Sequence, residues 1–144
     1  YEIASSDWSS DVCSSDLMFK KCEKGYSYYD KMVTIQINKF TGKLDGYVNL
    51  NSYLKTKDIN ILVSEEDATL EALNDFNEIN KDGKVIGIYK VWAENEDSSF
   101  MELCYVITLK GIDADKKEIR VKYFISTEDG RIIRTIRDNI ISKN

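Results

Sequence analysis

The sequence predicts an α+β fold in which an antiparallel β-sheet packs on a single α-helix, preceded by an extra β-hairpin. Three observations predict it. Residues 64–83 carry one pattern of helical period, residues 84–137 carry strand patterns separated by polar turns, and residues 32–48 carry a further alternating pattern. Sequential strands joined by short turns pair antiparallel, and a helix with one apolar stripe needs a sheet face to cover it.

The chain opens with YEIASSDWSSDVCSSDL, Tyr1 to Leu17, which holds four acids, no bases and six serines. Back-translation of DWSSDVCSSDL gives the read-primer part of a common short-read sequencing adapter. YEI gives the adapter's outer end, and Ala4 to Ser6 fall where the sample index sits. A Ser/Asp-rich linker is the alternative. We expect residues 1–17 to be a non-native, disordered segment.

The natural sequence is then expected to begin near Met18, which need not be a start codon, so a signal peptide, an anchor or a preceding domain is not excluded. Of the 25 acidic residues, four lie in the opening stretch, which leaves 21 against 20 basic residues. The remaining charge balance therefore predicts neither an acidic nor a basic partner. No apolar run approaches the length of a membrane span.

Cysteine and histidine usage limits the chemistry. The sequence has no histidine, and Cys22 and Cys104 form no CxxC pattern. This is neither a disulfide framework nor a zinc site. A single bridge between them stays open, although two unpaired thiols, one buried in a strand, fit the pattern better.

The first element is a hairpin. Val33, Ile35 and Ile37 alternate with polar residues, as in a half-buried strand. Gly42 supplies the positive φ of a tight turn, and the return strand runs to Val48. Residues 49–60 follow as a polar connector.

The helix is predicted from about Glu65 to Asn80. Ser64 is a good N-cap, and acids at positions 65–67 suit the positive end of the helix dipole. Gly83 lies where a left-handed C-terminal residue is expected. An apolar stripe at helical spacing is expected to face the sheet: Ala68, Ala72, Leu73, Phe76 and Ile79.

Strands follow the helix. KVIGIYKVWA is almost continuously apolar, and FMELCYVITL alternates with Met101, Leu103, Tyr105, Ile107 and Leu109 on one face. IRVKYFIS and RIIRTIR are joined by the turn TEDG. These segments predict the antiparallel sheet.

The first and last hairpins match without a gap. VTIQINKFTGKL aligns with VKYFISTEDGRI, so that Gly42 matches Gly130 and Asn38 matches Ser126. Chance convergence of two hairpins is one explanation, and a truncated tandem repeat is the other. The repeat predicts three parts: residues 1–17 as the adapter-derived segment, 18–60 as the end of a preceding repeat, and 61–144 as a complete α+β domain.

Most of residues 32–137 resembles a PepSY-type domain. Ser64 to Ala68 resembles the family's helix opening Ser-(Glu/Asp)-(Glu/Asp)-x-Ala, and Tyr105 lies in its Tyr-x-Val strand. Val121 to Ile132 resembles its closing hairpin Val-x-(Val/Ile)-Asp-x-x-Thr-Gly-x-(Ile/Val). The departures are Asp129 in place of threonine, and Asn38 and Ser126 in place of aspartate.

The resemblance implies a PepSY/cystatin-like fold. It also implies an extracytoplasmic location, secreted or in a bacterial cell envelope, and a partner that is a peptidase or an adjacent domain of the same chain. Two hypotheses follow: a non-catalytic module that binds or restrains that partner, and a structural repeat of an envelope protein with no ligand of its own. An exposed sheet edge or apolar patch would favour the first, and further copies in the gene would favour the second.

No residue is predicted to be catalytic, cofactor-binding or metal-binding. Without histidine there is no Ser–His or Cys–His pair and no ordinary zinc-water site, so we expect no enzyme and no cofactor. No nucleic-acid partner is expected either. The residues considered and set aside are Cys104, the acids Glu65, Glu66 and Asp67, the loop Asp113–Glu118, the basic strip Arg131, Arg134 and Arg137, and the aromatic group Tyr89, Trp92 and Tyr105.

Overall fold

A computed structural model describes residues 2–6, 14–49, 54–95 and 99–139. These residues form nine strands and one helix. In chain order they are β1 (Glu2–Ser6), β2 (Ser14–Glu23), β3 (Tyr26–Asn38), β4 (Leu44–Asn49), β5 (Lys55–Thr56), α1 (Glu65–Ile79), β6 (Lys81–Glu94), β7 (Phe100–Ile112), β8 (Glu118–Ser126) and β9 (Ile132–Asn139). The chain divides into two compact units, Tyr1–Leu54 and Lys55–Asn144, which we call the N-terminal and C-terminal units.

The predicted α+β class with an antiparallel sheet is wrong, because the described chain is mostly β-strand and its strand pairing is mixed. Strands occupy three regions where the sequence predicted none: Glu2–Ser6 in the opening stretch, Ser14–Glu23 from its end onward, and Lys55–Thr56 in the polar connector. β5 runs parallel to β7, with Lys55 opposite Phe100. Backbone groups of polar segments pair at sheet margins without any hydrophobic period, so periodicity did not find these strands.

The N-terminal unit contains β1 to β4, in which each strand pairs antiparallel with the next one along the chain. The pairing places Ile3 opposite Phe19 and Leu17 opposite Ile35. The structure therefore gives strand conformation to parts of the segment that the sequence predicted to be disordered. Residues 1 and 7–13 of that segment lie outside the described residues, as do residues 50–53 of the connector.

The C-terminal unit is built on β6, β7, β8 and β9, which pair antiparallel in chain order. Helix α1 packs on one face of this sheet. The core between them holds Ala68, Ala72 and Phe76 from the helix and Tyr105, Ile107, Leu109, Ile119, Val121, Tyr123 and Ile125 from the sheet. The predicted packing of a helical stripe on a strand face is present in this unit.

The bounds of α1 agree with the prediction to within one residue, but the burial of its last turn does not. The Ser64 hydroxyl accepts a hydrogen bond from the Asp67 N–H at 3.1 Å, which caps the helix. Ile79 was expected to be buried, but 66% of it is exposed. The buried side chains of the helix repeat every four residues, at Ala68, Ala72 and Phe76, and the next residue in this row, Asn80, is also buried. Ile79 lies beside this row and is therefore exposed.

Gly83 was expected to end the helix in a left-handed conformation, and this is wrong. Asn80 caps the helix in an extended conformation, and the positive φ of 56° belongs to Asp82. Gly83 provides space instead, because a Cβ there would lie 2.8 Å from Phe76 Cδ1. Gly111 approaches the same ring, where a Cβ would lie 2.6 Å from Phe76 Cζ. Two glycines thus leave room for the largest buried side chain of the helix.

The opposite face of the C-terminal sheet is also buried. Ala93, Cys104, Val106 and Phe124 are each at most 2% exposed. Strand β7 is therefore covered on both sides along Met101–Ile107, unlike the half-buried alternation that the sequence predicted. Among the described residues, no helix is long and apolar enough to span a lipid bilayer.

Candidate binding edge and the two matching turns

The turns that close β3–β4 and β8–β9 have the same backbone geometry. The Gly42 N–H donates to the Asn38 carbonyl at 2.8 Å, and the Gly130 N–H donates to the Ser126 carbonyl at 3.0 Å. Both glycines have positive φ, 68° and 76°. The Asn38 N–H donates to the Lys43 carbonyl, as the Ser126 N–H does to that of Arg131. These are the positions that the sequence alignment paired, and the predicted positive φ of Gly42 is confirmed.

The side chains of the two turns also make equivalent bonds. Asn38 Oδ1 accepts from the Phe40 N–H at 2.9 Å, and Ser126 Oγ accepts from the Glu128 N–H at 3.2 Å. Three residues after Asn38, Thr41 Oγ1 accepts from the Lys43 N–H at 3.3 Å. Asp129 Oδ1 accepts from the Arg131 N–H at 2.9 Å. The residues differ between the turns, but each supplies a side-chain oxygen at the same place.

A β-bulge follows each turn at the same position. In the first hairpin the register shifts between Gln36 and Ile37, which leaves Asp45 as the extra residue. In the second hairpin the register shifts between Phe124 and Ile125, which leaves Ile133 as the extra residue. Asp45 and Ile133 occupy equivalent positions in the alignment. Bulges depend on specific local geometry, so this match extends the similarity beyond a shared turn type.

Strand β9 presents a sheet edge. Within the described part of the chain it pairs only with β8. Arg134, Thr135, Arg137 and Asp138 are exposed along it. An edge strand keeps backbone N–H and C=O groups that a further strand can bind, so this edge is the C-terminal unit's candidate binding site.

The basic residues that the sequence analysis set aside do not form one surface. Arg134 lies over the Phe124 ring at 5.5 Å, whereas an Arg137 N–H donates to Asn80 Oδ1 at 3.4 Å on the helix side. Arg131 pairs with Asp129 at 3.9 Å in the turn. Arg134 lies opposite Phe124 and Arg137 lies opposite Val121, so these two side chains are on opposite faces of β9.

An extended segment between β5 and α1 is fastened to the sheet by its backbone. The Leu62 and Val63 N–H groups donate to the Thr127 carbonyl at 2.9 and 3.0 Å. The Tyr105 hydroxyl donates to the Val63 carbonyl at 2.8 Å. This fixes the start of α1 next to the β8–β9 turn, so the helix opening and the closing hairpin, which carry the family resemblance, are neighbours.

A buried carboxylate lies near the start of β7. Glu102 is 6% exposed. Its Oε1 accepts from Asn95 Nδ2 at 3.3 Å and lies 3.5 Å from Lys57 Nζ, which also reaches Glu128 at 3.7 Å. An open groove of about 440 Å³ runs beside this group, lined by Thr56, Lys57, Asp58, Asn60, Phe100 and Glu128. Sequence reasoning missed the group, since no local pattern links positions 57, 95 and 102.

The other residues that the sequence singled out have structural roles. Cys104 is fully buried, and burial, followed by the charges of Glu102 and Asp129, raises the pKa of its thiol far above its ordinary value. Cys22 and Cys104 do not form a disulfide with each other. In the loop after β7, Asp113 Oδ1 accepts from the backbone N–H groups of Asp115 and Lys117, both at 2.9 Å. No cluster of metal-ligating side chains occurs among the described residues.

The three aromatic residues do not form a stacking surface. Trp92 lies opposite Leu103 and is fully buried. Tyr105 shares that face and is held through its hydroxyl. Tyr89 lies opposite Val106 on the other face and is 44% exposed.

No family model matches the sequence, and no curated protein matches it.

Proposed function

We propose that the chain is a non-catalytic, extracytoplasmic PepSY-like module that binds or restrains a peptidase or a neighbouring domain. The observation that carries this proposal is the edge of β9, which pairs only with β8 within the described chain. Strand addition at such an edge is a general mode of peptide and protein recognition. The proposed contact is therefore an extended segment of the partner aligned along β9.

The turn chemistry supports the family resemblance. Asn38 and Ser126 replace an aspartate of the family's closing hairpin, and Asp129 replaces a threonine. Each replacement keeps a side-chain oxygen that accepts a backbone N–H. Asp, Asn, Ser and Thr share this local bonding, so the departures from the pattern preserve its physical purpose.

A non-catalytic function is supported by the residue chemistry. The sequence has no histidine to act as a base. The buried Cys104 thiol stays protonated because its pKa is raised, whereas a nucleophilic cysteine needs an accessible thiolate. The location outside the cytoplasm rests on the resemblance alone.

Hydrogen exchange of the chain, measured with and without a secreted metallopeptidase, tests the proposal. We expect saturable binding that slows exchange of amides in residues 132–139. Arg134→Glu, on the exposed edge, should weaken binding, while Arg120→Glu, exposed on the interior strand β8, serves as the matched control. Binding that leaves residues 132–139 unprotected would rule out the edge as the contact.

The second candidate function is a structural repeat of a cell-envelope protein. The shared turn bonds and the shared bulge of the two hairpins favour it. The complete open reading frame separates the two proposals: a run of further copies supports the repeat, whereas a peptidase domain following one such unit supports the regulatory module.

A further inference from the structure

The N-terminal sheet has one apolar face. Residues that lie directly opposite each other in paired strands share a face, and side chains alternate along each strand. The register therefore places on one face Leu17, Phe19, Val33, Ile35, Ile37, Leu44 and Tyr47. We call this set the Val33 face.

The Val33 face is partly accessible. Five of its seven side chains are half-buried, and the other two, Leu44 and Tyr47, are 62% and 58% exposed. Phe40, in the adjoining turn, is 82% exposed. Contiguous exposed apolar surface of this kind marks interaction sites in soluble proteins.

The matching hairpin of the C-terminal unit shows what covers such a face. Val121, Tyr123 and Ile125, the counterparts of Val33, Ile35 and Ile37, are each at most 3% exposed under the stripe of α1. Ile132 packs against the same core, whereas its counterpart Leu44 is exposed. The cover of the second hairpin is thus an amphipathic helix.

The turns show the same difference. A Cβ on Gly130 would lie 3.4 Å from Val63 Cγ2, in the segment that leads into α1. The equivalent point at Gly42 has no atom within 4 Å. Among the described residues, no segment equivalent to Val63 therefore contacts the first turn.

The charges around the first turn fit a helix that begins with acids. Helix α1 opens with Glu65, Glu66 and Asp67, directly after the Ser64 cap, and Val63 before that cap lies beside the β8–β9 turn. At the first turn, Lys43 aligns with Arg131 and Lys39 aligns with Thr127. Two lysines thus lie where the acidic first turn of a docked helix would come, which favours its binding.

We propose that the Val33 face docks an amphipathic helix from a partner polypeptide, with an acidic first turn and an alanine- and phenylalanine-bearing stripe like that of α1. This proposal does not depend on peptidase binding, because it rests on the comparison of the two hairpins. A peptide of residues 57–80 has the required chemistry and serves as the probe.

The test uses the full chain, labelled for NMR, titrated with this peptide. We expect saturable shifts on the Val33 face. Leu44→Asp should weaken binding at least about tenfold, the equivalent of about 1.4 kcal/mol. The control is Leu70→Asp in the full chain, at a leucine of α1 with similar exposure, and it should leave the affinity for the peptide unchanged. A peptide with Ala72→Glu and Phe76→Glu should not bind.

Three results would overturn the proposal. The first is no saturable shift at millimolar peptide. The second is shifts confined to the C-terminal unit, which would mean that the peptide displaces α1 there. The third is self-association of the chain that Leu44→Asp abolishes, because the occupant would then be a second copy.

Discussion

Asn38 and Ser126 share a set of hydrogen bonds in two turns that lie far apart in the sequence, and Asn38 Oδ1 accepts one more, from the Thr41 N–H at 3.1 Å. The side-chain oxygen of each residue accepts the backbone N–H of the residue two positions later. The backbone carbonyl of each residue accepts the N–H of a glycine in the left-handed conformation. A serine and an asparagine are interchangeable for this purpose because both offer one oxygen at short reach. The similarity of the two hairpins is therefore one of geometry as well as sequence.

Removing the side-chain acceptor of either turn should destabilise the unit that contains it. Asn38→Ala and Ser126→Ala each leave a turn N–H without its side-chain acceptor, at an expected cost of about 0.5–1.5 kcal/mol. Asn38→Ser and Ser126→Asn should cost much less, since each introduces the side chain that the other turn uses. Urea unfolding measures all four. Exchange variants as unstable as the alanine variants would show that the turns are not equivalent.

Phe76 should dominate the stability of the C-terminal unit. Phe76→Ala removes a fully buried ring and should cost about 3–5 kcal/mol, whereas the exposed Asn77→Ala should cost little.

Gly83→Ala should be destabilising because its Cβ would meet the Phe76 ring. In the Phe76→Ala background most of that cost should disappear. A double-mutant cycle in denaturant measures this coupling, and additive costs would mean that Gly83 serves another purpose.

Cys104 should resist thiol reagents in the native state. The sequence has a third cysteine, Cys13, which is replaced by serine for this experiment. A disulfide reagent should then modify the half-buried Cys22 and reach Cys104 only on unfolding. Fast modification of both thiols in the folded chain would contradict the burial of Cys104.

Ionisation of the Cys104 thiol should lower the stability of the folded chain at high pH. Its pKa is raised in the folded state, so the unfolded chain loses this proton first, near the ordinary value of 9.0. The contribution is fully present below pH 9 and falls as the pH rises above it. Cys104→Ala should flatten that part of the curve, and unchanged pH dependence would assign the decline to other groups.

Deleting residues 1–17 should affect only the N-terminal unit. The deletion removes β1 and the beginning of β2, including Leu17 opposite Ile35. We expect lower protection of β3 amides and an unchanged unfolding midpoint for the C-terminal unit. Near-identical exchange in β3 would mean that the segment contributes nothing to the fold, as its adapter-like sequence suggests.

The sequence predicted the parts of the fold that local chemistry determines. The Ser64 cap, the position of the strands that hold Tyr105 and Tyr123 and the turn at Gly42 follow from capping preference, β-propensity and a required positive φ, although the burial of both faces of β7 did not. The exposure of Ile79 could not be predicted from the sequence. A residue three positions after Phe76 and one four positions after it are both compatible with the same helix face, and only the packing on the sheet decides which is buried.

Tertiary pairing determines the rest. The parallel contact of Lys55 with Phe100 and the Lys57–Glu102 pair join residues that no periodicity relates. The fold class was misjudged for this reason. The candidate edge at β9 could be predicted only in part. A sequence gives the order of the strands along the chain, but it does not show which strand has no second neighbour in the sheet.

The central claim is that the first hairpin carries an apolar face without the cover that its counterpart has. Native-state hydrogen exchange of the full chain tests it most directly. We predict that the amides of Ile35 and Ile37 exchange through local opening at low free energy, while those of Tyr123 and Ile125 exchange only when the C-terminal unit unfolds globally. Exchange of all four amides with one common free energy of unfolding would contradict the claim.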